Sequence, residues 1–354
     1  MIIADAPPEG GACRFNGGPG RVTMRAMRAT PMFADALTRA LAHRSALLSS
    51  PTTTAYRLLD GAGDGVPGVY VDRLGPAAIL NVYDDARWSD AQVSDAARGT
   101  LASAHPHGVE SVYVKRFIKD RSRLGGKLPE ESTAPAPRAG VPQPEALTVD
   151  EYGVHFEVRP YDGFSTGLFL EHREHRRALA DGGVKRALNL FAYTCGFSVP
   201  LVAAGAHVTN VDVSPRYLDW GRRNHALNGL DESRVRYARM DAMAYLAYAA
   251  RHAHERFDLI VLDPPTFGAG NSRRGVKPWK ATENYPELIE AAVAVLAPGG
   301  RIFAATNARE LAVEGELQAL VEDTISGVRW QQLPKWPVDV REPGRVAAVL
   351  FSRQ

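Results

Sequence analysis

The sequence predicts an α/β protein in which a doubly wound, mostly parallel sheet follows a smaller α/β domain. From about residue 185 onward, β-rich apolar runs alternate with segments of helical periodicity, a pattern typical of a parallel sheet covered by helices. Short β-rich runs, separated by Asp-Gly and Pro-Gly turn signals, precede that region. Between the two lie residues 132–146, which contain four prolines and no periodic apolar pattern.

The region before the proline-rich segment predicts an arm and a small domain. Residues 1–30 are rich in Gly and Pro and then basic, which indicates a flexible N-terminal arm. Residues 32–48 space apolar side chains three and four apart, so they predict a helix. We place the small α/β domain at residues 31–131, with strands over 69–71, 78–83 and 111–116 and a helix over 91–103. Residues 132–146 are then a linker.

Residues 147–354 predict the larger domain. A hairpin opens it, with Tyr152 and Gly153 in the turn. Strands then alternate with helices, and the strands are expected in "RALNLFA", "HVTNVDVS", "VRYARMD", "FDLIVLDPP" and "RIFAATN". The chain closes with two more strands, expected near "WQQLPKW" and "RVAAVLFSR".

Composition and charge exclude several classes of protein. The chain has 354 residues, 45% of them hydrophobic, and a formal net charge of +2, so any nucleic-acid binding must come from local basic patches. Cys13 and Cys195 are the two cysteines, and their spacing indicates neither a disulfide framework nor a metal site. No apolar run is long enough to span a membrane, and the N-terminus lacks a secretory signal. We therefore expect a cytoplasmic protein with no membrane partner.

Acidic residues end three successive strands of the predicted sheet. Asp212, Asp241 and Asp263 follow its second, third and fourth strands, and ligands of such sheets bind beyond the carboxyl ends of the strands. Asp212 lies 21 residues after Phe191, where nucleotide-binding folds place a carboxylate on the ribose. One such aspartate alone is more often a helix N-cap or a solvated loop acid. Three acidic residues at the ends of three successive strands favour a ligand site.

The turn after the first strand of the predicted sheet distinguishes between NAD and S-adenosylmethionine as the cofactor. A dinucleotide fingerprint needs three glycines against the pyrophosphate, and this turn has one, Gly196. S-adenosylmethionine has no phosphate and offers a ribose diol, an adenine amine and an ammonium group to carboxylates. We expect Asp212 on the ribose, Asp241 on the adenine amine, and Asp263 on the ammonium group or on the target base.

Several longer motifs carry a family resemblance, from about residue 56 to the end. They are "YRLLDGAGDGVPGVYVDR", "GFSTGLFLEHREHRRAL", "LNLFAYTCGFSV", "VTNVDVSPRYLDWGRRNHALNGL" and "FDLIVLDPPTF". With these motifs the chain resembles the RlmI/RlmK family of class I S-adenosylmethionine-dependent methyltransferases, which modify large-subunit ribosomal RNA. The resemblance implies a seven-stranded, Rossmann-like methyltransferase domain with an antiparallel last pair of strands, preceded by a small α/β domain. Family members are often homodimers.

The resemblance also implies the residues of the site. The cofactor pocket would be lined by Phe164, Gly167, Arg173, Phe191, Tyr193, Gly196, Asp212, Val213, Ser214, Asp241, Ala242 and Asp263. Catalysis would involve Asp263, Pro264, Pro265, Phe267 and Asn307. The fixed φ of the two prolines stiffens the backbone beside the target, and we expect their carbonyls to face the pocket.

Two departures from the family bear on the substrate. Many members carry an N-terminal PUA domain, for which the residues before the first predicted helix leave no room. Members that make 5-methylcytosine carry a cysteine after the fifth strand, because C5 methylation requires a thiolate that adds at C6. Thr306 and Asn307 occupy that place here, and Cys195 is expected to be a small buried residue. Cytosine C5 chemistry is therefore disfavoured, and the RlmK-like half of the family is the closer match.

A ring nitrogen such as guanine N7 attacks the methyl group directly, so alignment in a dry pocket suffices. Exocyclic-amine enzymes usually place an aromatic residue directly after the two prolines, whereas Thr266 intervenes here before Phe267. The favoured hypothesis is therefore rRNA methylation at a ring nitrogen without a covalent intermediate. The alternatives are cytosine C5 methylation, a small-molecule or protein substrate, and a non-catalytic RNA-binding protein.

Two basic segments are candidates for binding RNA phosphates and stacking on unpaired bases. They are residues 115–127 and, after the "DPP" motif, residues 271–280. Their candidate contacts are Lys115, Arg116, Lys119, Arg121, Arg123, Arg273, Arg274, Lys277 and Trp279. His172 and His175 lie three apart but lack further ligands for a metal, so we expect them on the surface or behind the site.

Overall fold

The computed structural model describes residues 20–118, 128–252, 254–268, 270, 277–342 and 344–353, and only the backbone over residues 20–31. Two sheets dominate these residues, one of five strands and one of seven, and two short strand pairs lie beside them. No described helix is both long and apolar enough to cross a membrane.

The five-stranded sheet lies in the N-terminal part of the chain. Its strands, in spatial order, are β1 (Ala55–Asp60), β2 (Val69–Leu74), β3 (Ala77–Tyr83), β4 (Ser111–Phe117) and β5 (Ala139–Gly140). The helices of this part are α1 (Gly20–His43), α2 (Ser45–Leu48) and α3 (Asp90–Ala104). Phe33 and Leu37 of α1 and Val93 of α3 pack against one face of the sheet. These elements form the smaller α/β region that the sequence predicts.

The elements of the structure cross two boundaries of that prediction. Helix α1 begins at Gly20, so residues 20–30, which the sequence analysis assigned to a flexible arm, are helical. The helix runs through Pro31. Part of the predicted linker forms β5, which pairs with β4. Gly140 permits this pairing, because its φ is 90° and a Cβ would lie 2.1 Å from the carbonyl oxygen of Glu110.

A hairpin follows and shares a core with the small sheet. Its strands are β6 (Leu147–Glu151) and β7 (Val154–Val158), and the turn residues Tyr152 and Gly153 both have positive φ, as a two-residue hairpin turn requires. The second face of the small sheet packs against this hairpin and the residues after it. The shared core contains Ala55, Leu74, Ala77, Ile79 and Tyr113 from the sheet and Val149, Phe156, Val158, Leu168, Leu170 and Val199 from beyond it.

The seven-stranded sheet has the predicted topology. Its strands are β8 (Arg186–Leu190), β9 (His207–Asp212), β10 (Val235–Arg239), β11 (Phe257–Leu262), β14 (Leu296–Thr306), β15 (Val328–Gln331) and β16 (Ala347–Arg353), and the short pair β12 (Phe267–Gly268) and β13 (Trp279–Lys280) lies beside them. The spatial order is β10-β9-β8-β11-β14-β16-β15. Strands β8 to β11 and β14 are parallel, and β16 is antiparallel to both of its neighbours. The doubly wound class and the antiparallel last pair are confirmed.

Helices cover both faces of this sheet. They are α4 (Arg173–Leu179), α5 (Ser198–Ala203), α6 (Pro215–Leu227), α7 (Ala242–Ala250), α8 (Ala281–Val293) and α9 (Glu316–Thr324). Buried residues of α4 and α5 pack on one face, and those of α7, α8 and α9 pack on the other. Because β8 to β11 are parallel, their carboxyl ends meet along one edge, where such sheets bind ligands.

The Asp339 carboxylate, buried in an ion pair, connects the two sheets. Arg173, at the start of α4, and Asp339, between β15 and β16, are 1% and 0% exposed. Both terminal nitrogens of Arg173 donate to the Asp339 carboxylate. The backbone N–H of Arg57, in β1, donates to the same carboxylate at 2.8 Å. Asp339 therefore joins three separate parts of the chain.

Replacing Asp339 should destabilise the whole fold. Asp339→Asn would leave the buried Arg173 guanidinium without a counter-charge, which costs about 3–5 kcal/mol in comparable buried pairs. Urea unfolding measures this free energy, with Asp323→Asn on the exposed face of α9 as the matched control. A free energy of unfolding equal to that of the control would show that the pair does not hold the sheets together.

Candidate active site

The loop after β8, residues 191–197, adopts a strained backbone. Phe191, Tyr193 and Cys195 have φ of 54°, 48° and 64°, a region in which non-glycine residues cost about 1–3 kcal/mol each and which clusters at functional sites. Asp212 stabilises the loop, because its Oδ2 accepts the backbone N–H of Tyr193 at 2.9 Å. The loop therefore lies against the carboxyl end of β9 in a fixed conformation.

Asp212 combines structural contacts with remaining acceptor capacity. Its Oδ1 accepts the N–H of Ser214 at 2.8 Å, and Ser214 in turn caps α6 by accepting the N–H of Tyr217. Burial raises the pKa of Asp212, and the two backbone N–H groups counteract that rise. Among the described residues, each carboxylate oxygen has one hydrogen-bond partner, which leaves a second lone pair for a hydroxyl donor.

Asp241 caps a helix, as one reading of its sequence position suggested. Its Oδ1 accepts the N–H groups of Met243 and Ala244 at 3.0 and 3.1 Å, at the N-terminus of α7. No described residue binds Oδ2. Capping therefore does not preclude a ligand contact, and the neighbouring Ala242 is buried as the first residue of α7.

Exposed apolar side chains accompany these acids. Val213 is 43% exposed and follows Asp212, and Met240 is 37% exposed and precedes Asp241. Phe169 is 43% exposed, and its ring centroid lies 5.4 Å from that of Tyr193. Met240 and Phe169 are absent from the sequence prediction, because single apolar residues in loops carry no periodic signal. A purine ring suits such apolar surfaces, and its amine and ribose suit the adjacent carboxylates.

Asp263 ends β11 and differs electrostatically from the other two acids. Its side chain is 26% exposed, and it forms no hydrogen bond with a described residue. Burial and the charge of Glu171 raise its pKa to about 7, and the charge of Arg176 opposes this rise. Nε2 of His172 lies 3.7 Å from its Oδ2. Asp263 is thus an unengaged carboxyl group that changes charge near neutral pH.

Two side-chain hydrogen bonds hold the loop after Asp263 in place. The Trp279 indole N–H donates to the carbonyl of Pro265 at 2.7 Å, and the Thr266 hydroxyl donates to Oδ1 of Asn307 at 2.6 Å. Trp279 thus occupies one of the two acceptor positions of the Pro265 carbonyl, and the orientation of the two proline carbonyls toward the pocket stays a prediction. The neighbouring Pro264 is buried, whereas Phe267 is 69% exposed.

Tyr285 of α8 reinforces the same edge of the sheet. It is fully buried, and its hydroxyl donates to the carbonyl of Ala305 at 2.7 Å and lies 3.4 Å from that of Leu262. It therefore joins the ends of β11 and β14 beneath Asp263. No sequence motif marks this role, because Tyr285 has the periodicity of an ordinary core residue.

Comparison with known proteins identifies the family. The family model described as "S-adenosylmethionine-dependent methyltransferase" matches residues 134–338. The chain belongs to this methyltransferase family. The residues at the edge of its large sheet fit S-adenosylmethionine, because they pair free carboxylate oxygens with exposed apolar side chains and lack a glycine-rich phosphate loop.

Individual relatives agree with this assignment. The chain is 32% identical over 260 residues to ribosomal RNA large subunit methyltransferase K/L of Pseudoalteromonas translucida, covering 72% of this chain and 35% of that protein. It is 33% identical over 274 residues to ribosomal RNA large subunit methyltransferase I of Klebsiella pneumoniae, covering 76% and 64%. The chain thus spans between about a third and two thirds of these relatives. A crystal structure of SMU.776, a methyltransferase candidate complexed with SAH, superposes with a TM-score of 0.77 at 26% identity, covering 91% of this chain and 81% of that one.

Some predicted cofactor residues of this methyltransferase serve as supports. Arg173 is buried in its ion pair with Asp339, so its placement gives no support to a cofactor contact. Gly167 has φ 107°, and a Cβ there would lie 2.5 Å from the Trp220 ring. A Cβ at Gly196 would meet only ordinary contacts. Phe164 is half-buried, with its ring 5.2 Å from that of Phe117.

The predicted RNA contacts of the methyltransferase divide into three groups. Lys119, Arg121, Arg123, Arg273 and Arg274 lie outside the described residues. Lys115 is 1% exposed and Arg116 pairs with Asp90 and Glu131, so neither presents a free surface cation. Lys277 is exposed, and Trp279 is half-buried with its N–H on Pro265.

Asp212 should control binding of the methyl donor. Asp212→Asn replaces the carboxylate that would accept the ribose hydroxyls with a neutral amide. Because hydrogen bonds to charged groups contribute about 1.5–3 kcal/mol, the affinity for S-adenosylmethionine should fall about 10- to 100-fold. Isothermal titration with S-adenosylmethionine measures this change. Asp219→Asn, on the exposed side of α6, is the control, and an unchanged affinity in Asp212→Asn would remove Asp212 from the cofactor site.

The charge of Glu171 should set the acid limb of the pH–rate profile. Asp263 loses its charge as the pH falls through about 7, so a reaction that needs its carboxylate slows below that pH. Glu171→Gln removes a neighbouring negative charge, lowers the pKa of Asp263 and moves the limb to lower pH. Methyl-transfer rates over a pH series test this, with the exposed Glu314→Gln as control. A limb that moves upward or stays in place would contradict the coupling.

Proposed function

We propose that this methyltransferase acts on large-subunit ribosomal RNA, at a base ring nitrogen such as guanine N7, without a covalent enzyme intermediate. Its similarity to the two ribosomal RNA methyltransferases supports the RNA class. The burial of Cys195 supports the direct mechanism, and this is the observation on which the proposal chiefly rests.

Cytosine C5 methylation needs a thiolate within reach of the base. Cys195 is fully buried, and burial raises the pKa of its thiol. Its Sγ lies against α6, where a Cβ on Gly221 would be 2.3 Å away. A protonated thiol enclosed in this way cannot add to a base.

The place of the catalytic cysteine in cytosine enzymes also lacks a nucleophile here. Thr306 is buried, and its Oγ1 accepts the N–H of Ala308 at 3.1 Å. Asn307 is exposed at the same strand end and binds Thr266 through its side-chain oxygen. These contacts favour a role for both residues in fixing the loop that follows Asp263.

A ring nitrogen requires alignment and charge compensation from the protein. S-adenosylmethionine supplies a methyl group on a sulfonium, which the nitrogen lone pair takes while the C–S electrons remain on sulfur. The base gains one positive charge and releases no proton. The ionised Asp263 carboxylate would stabilise that charge, and the exposed ring of Phe267 offers a surface on which the base could stack.

Lys115 and Arg116 favour a second candidate, a small-molecule or protein substrate. Lys115 is buried and Arg116 is held in ion pairs, so the basic segment of residues 115–127 is a weaker candidate for RNA contact. RNA retention at low salt separates the two candidates, because phosphate contacts weaken as salt rises. Methyl transfer with no retention of RNA at any salt concentration would favour the second candidate.

Nucleoside mass spectrometry of ribosomal RNA from a deletion strain tests the target. The proposal predicts loss of 7-methylguanine and its restoration by the wild-type chain, whereas Asp263→Asn should restore little, because it removes the compensating charge. Loss of 5-methylcytosine would contradict the direct mechanism. An unchanged set of modified nucleosides would contradict the RNA substrate.

Cys195 should be dispensable for chemistry. Cys195→Ala removes the thiol and keeps the loop, so the methyl-transfer rate should stay within about twofold of wild type, far from the loss of several orders of magnitude that follows removal of a covalent nucleophile. The rate is measured beside the thermal midpoint of unfolding. A loss above about 100-fold with an unchanged midpoint would restore the covalent mechanism.

A further inference from the structure

Two buried histidines lie directly behind Asp263. His172 and His175 are 2% and 1% exposed, and their Nδ1 atoms are 3.2 Å apart. The sequence suggested histidines on the surface or behind the site, and the structure places them behind it. Aromatic rings enclose the pair, namely Phe197, Phe303 and Trp336.

Both histidines are neutral over the working range of an enzyme. Burial, the largest cause, and the charge of Arg176 lower the pKa of each to about 3, and His172 contributes to the lowering at His175. A neutral imidazole has one N–H donor and one bare acceptor nitrogen. The contact between the two Nδ1 atoms therefore holds a single proton, which belongs to one ring or to the other.

The position of that proton decides what His172 offers to Asp263. If Nδ1–H of His175 donates to Nδ1 of His172, then His172 carries its own proton on Nε2, which faces the carboxylate. In the reverse arrangement Nε2 is bare and matches a protonated Asp263. Each charge state of Asp263 thus favours a different arrangement of the pair.

In the part of the chain that the structure describes, few other groups compete for this carboxyl group. Glu171 and Arg176 act on Asp263 through their charges, but Arg176 is held by Glu151 at 2.8 and 2.6 Å. The Tyr285 hydroxyl is engaged by the Ala305 carbonyl. Of these described neighbours, His172 is therefore the one that can donate to Asp263, and its 3.7 Å separation exceeds a hydrogen bond by less than about 1 Å.

We propose that His172 is a positioning residue which, through its hydrogen bond with His175, directs Nε2–H at Asp263 and keeps that carboxyl group ionised. The role in methyl transfer rests on the proposed function, because the ionised carboxylate is the form that stabilises a base gaining positive charge. The arrangement of protons itself does not depend on the identity of the substrate.

His172→Phe and His172→Gln form the matched pair of variants. Phenylalanine keeps a ring in the aromatic enclosure and removes the donor, so the acid limb of the pH–rate profile should move to higher pH. Below its pKa, a rise of one pKa unit lowers the ionised fraction of Asp263 about tenfold. The rate of His172→Phe should therefore fall at least about fivefold at about pH 6 and stay within about twofold of wild type at about pH 9. Glutamine supplies an N–H donor and should keep the wild-type limb.

His175→Phe gives a second, independent variant. It leaves His172 in place but removes the partner that fixes its proton, so the limb should move in the same direction and by less. A rate lowered equally at every pH in both phenylalanine variants would assign the histidines to packing alone and overturn the proposal. Thermal midpoints of unfolding accompany each profile.

A spectroscopic measurement separates this proposal from the substrate assignment. Nitrogen-15 histidine spectra of the wild-type chain, without substrate, report which ring nitrogen carries the proton. We expect a neutral His172 protonated on Nε2 at about pH 8, with a response near neutral pH that Asp263→Asn abolishes. A cationic His172 at about pH 6, or one protonated on Nδ1 at about pH 8, overturns the proposal even if the chain methylates ribosomal RNA.

Discussion

Asp339, buried in an ion pair with Arg173 and bonded to the small-sheet region, is the residue on which the arrangement of the two sheets depends. Taking either charge out of water alone would cost several kcal/mol, so each residue is stable in its place only because the other is there. Asp339 also holds the backbone of β1 through Arg57, and its carbonyl accepts from Arg44 at 3.0 Å. The small sheet is therefore fixed to the loop between β15 and β16.

The same pair fixes the segment that approaches Asp263. Glu171 and His172 immediately precede Arg173, so their distance from the carboxyl end of β11 follows from where the ion pair holds the start of α4. A second contact joins β1 to the residues after Asp339, because Asp60 accepts the backbone N–H groups of Arg341 and Glu342. The electrostatic environment of the site thus depends on contacts that lie outside it.

Much of the large sheet could be predicted from the sequence, because strand and helix periodicities are local and parallel topology follows few rules. The acids at the strand ends follow from the same logic, and Asp212, Asp241 and Asp263 do lie along one edge. Contacts between distant segments could not be predicted. Nothing near Arg173 in the sequence indicates a partner 166 residues away.

The burial of Lys115 was missed for a similar reason. Its neighbours in sequence are basic and look solvent-exposed, but Lys115 is 1% exposed and lies on the same face of β4 as Tyr113, which packs against the hairpin β6–β7. Predicting this would require knowing that both faces of the small sheet are covered. The histidine pair is a comparable case, because its chemistry comes from enclosure by rings that are far apart along the chain.

The left-handed residues in the loop after β8 affect how selectively the site can bind. A loop that becomes ordered only around its ligand loses conformational entropy at that moment, and affinity falls accordingly. Here folding has already imposed the conformation, so the contact energy is available in full. The same rigidity means that an adenosine compound of different shape meets a surface that does not adjust. If this loop contacts the cofactor as the sequence predicts, we expect discrimination among such compounds to depend on the backbone from Phe191 to Cys195.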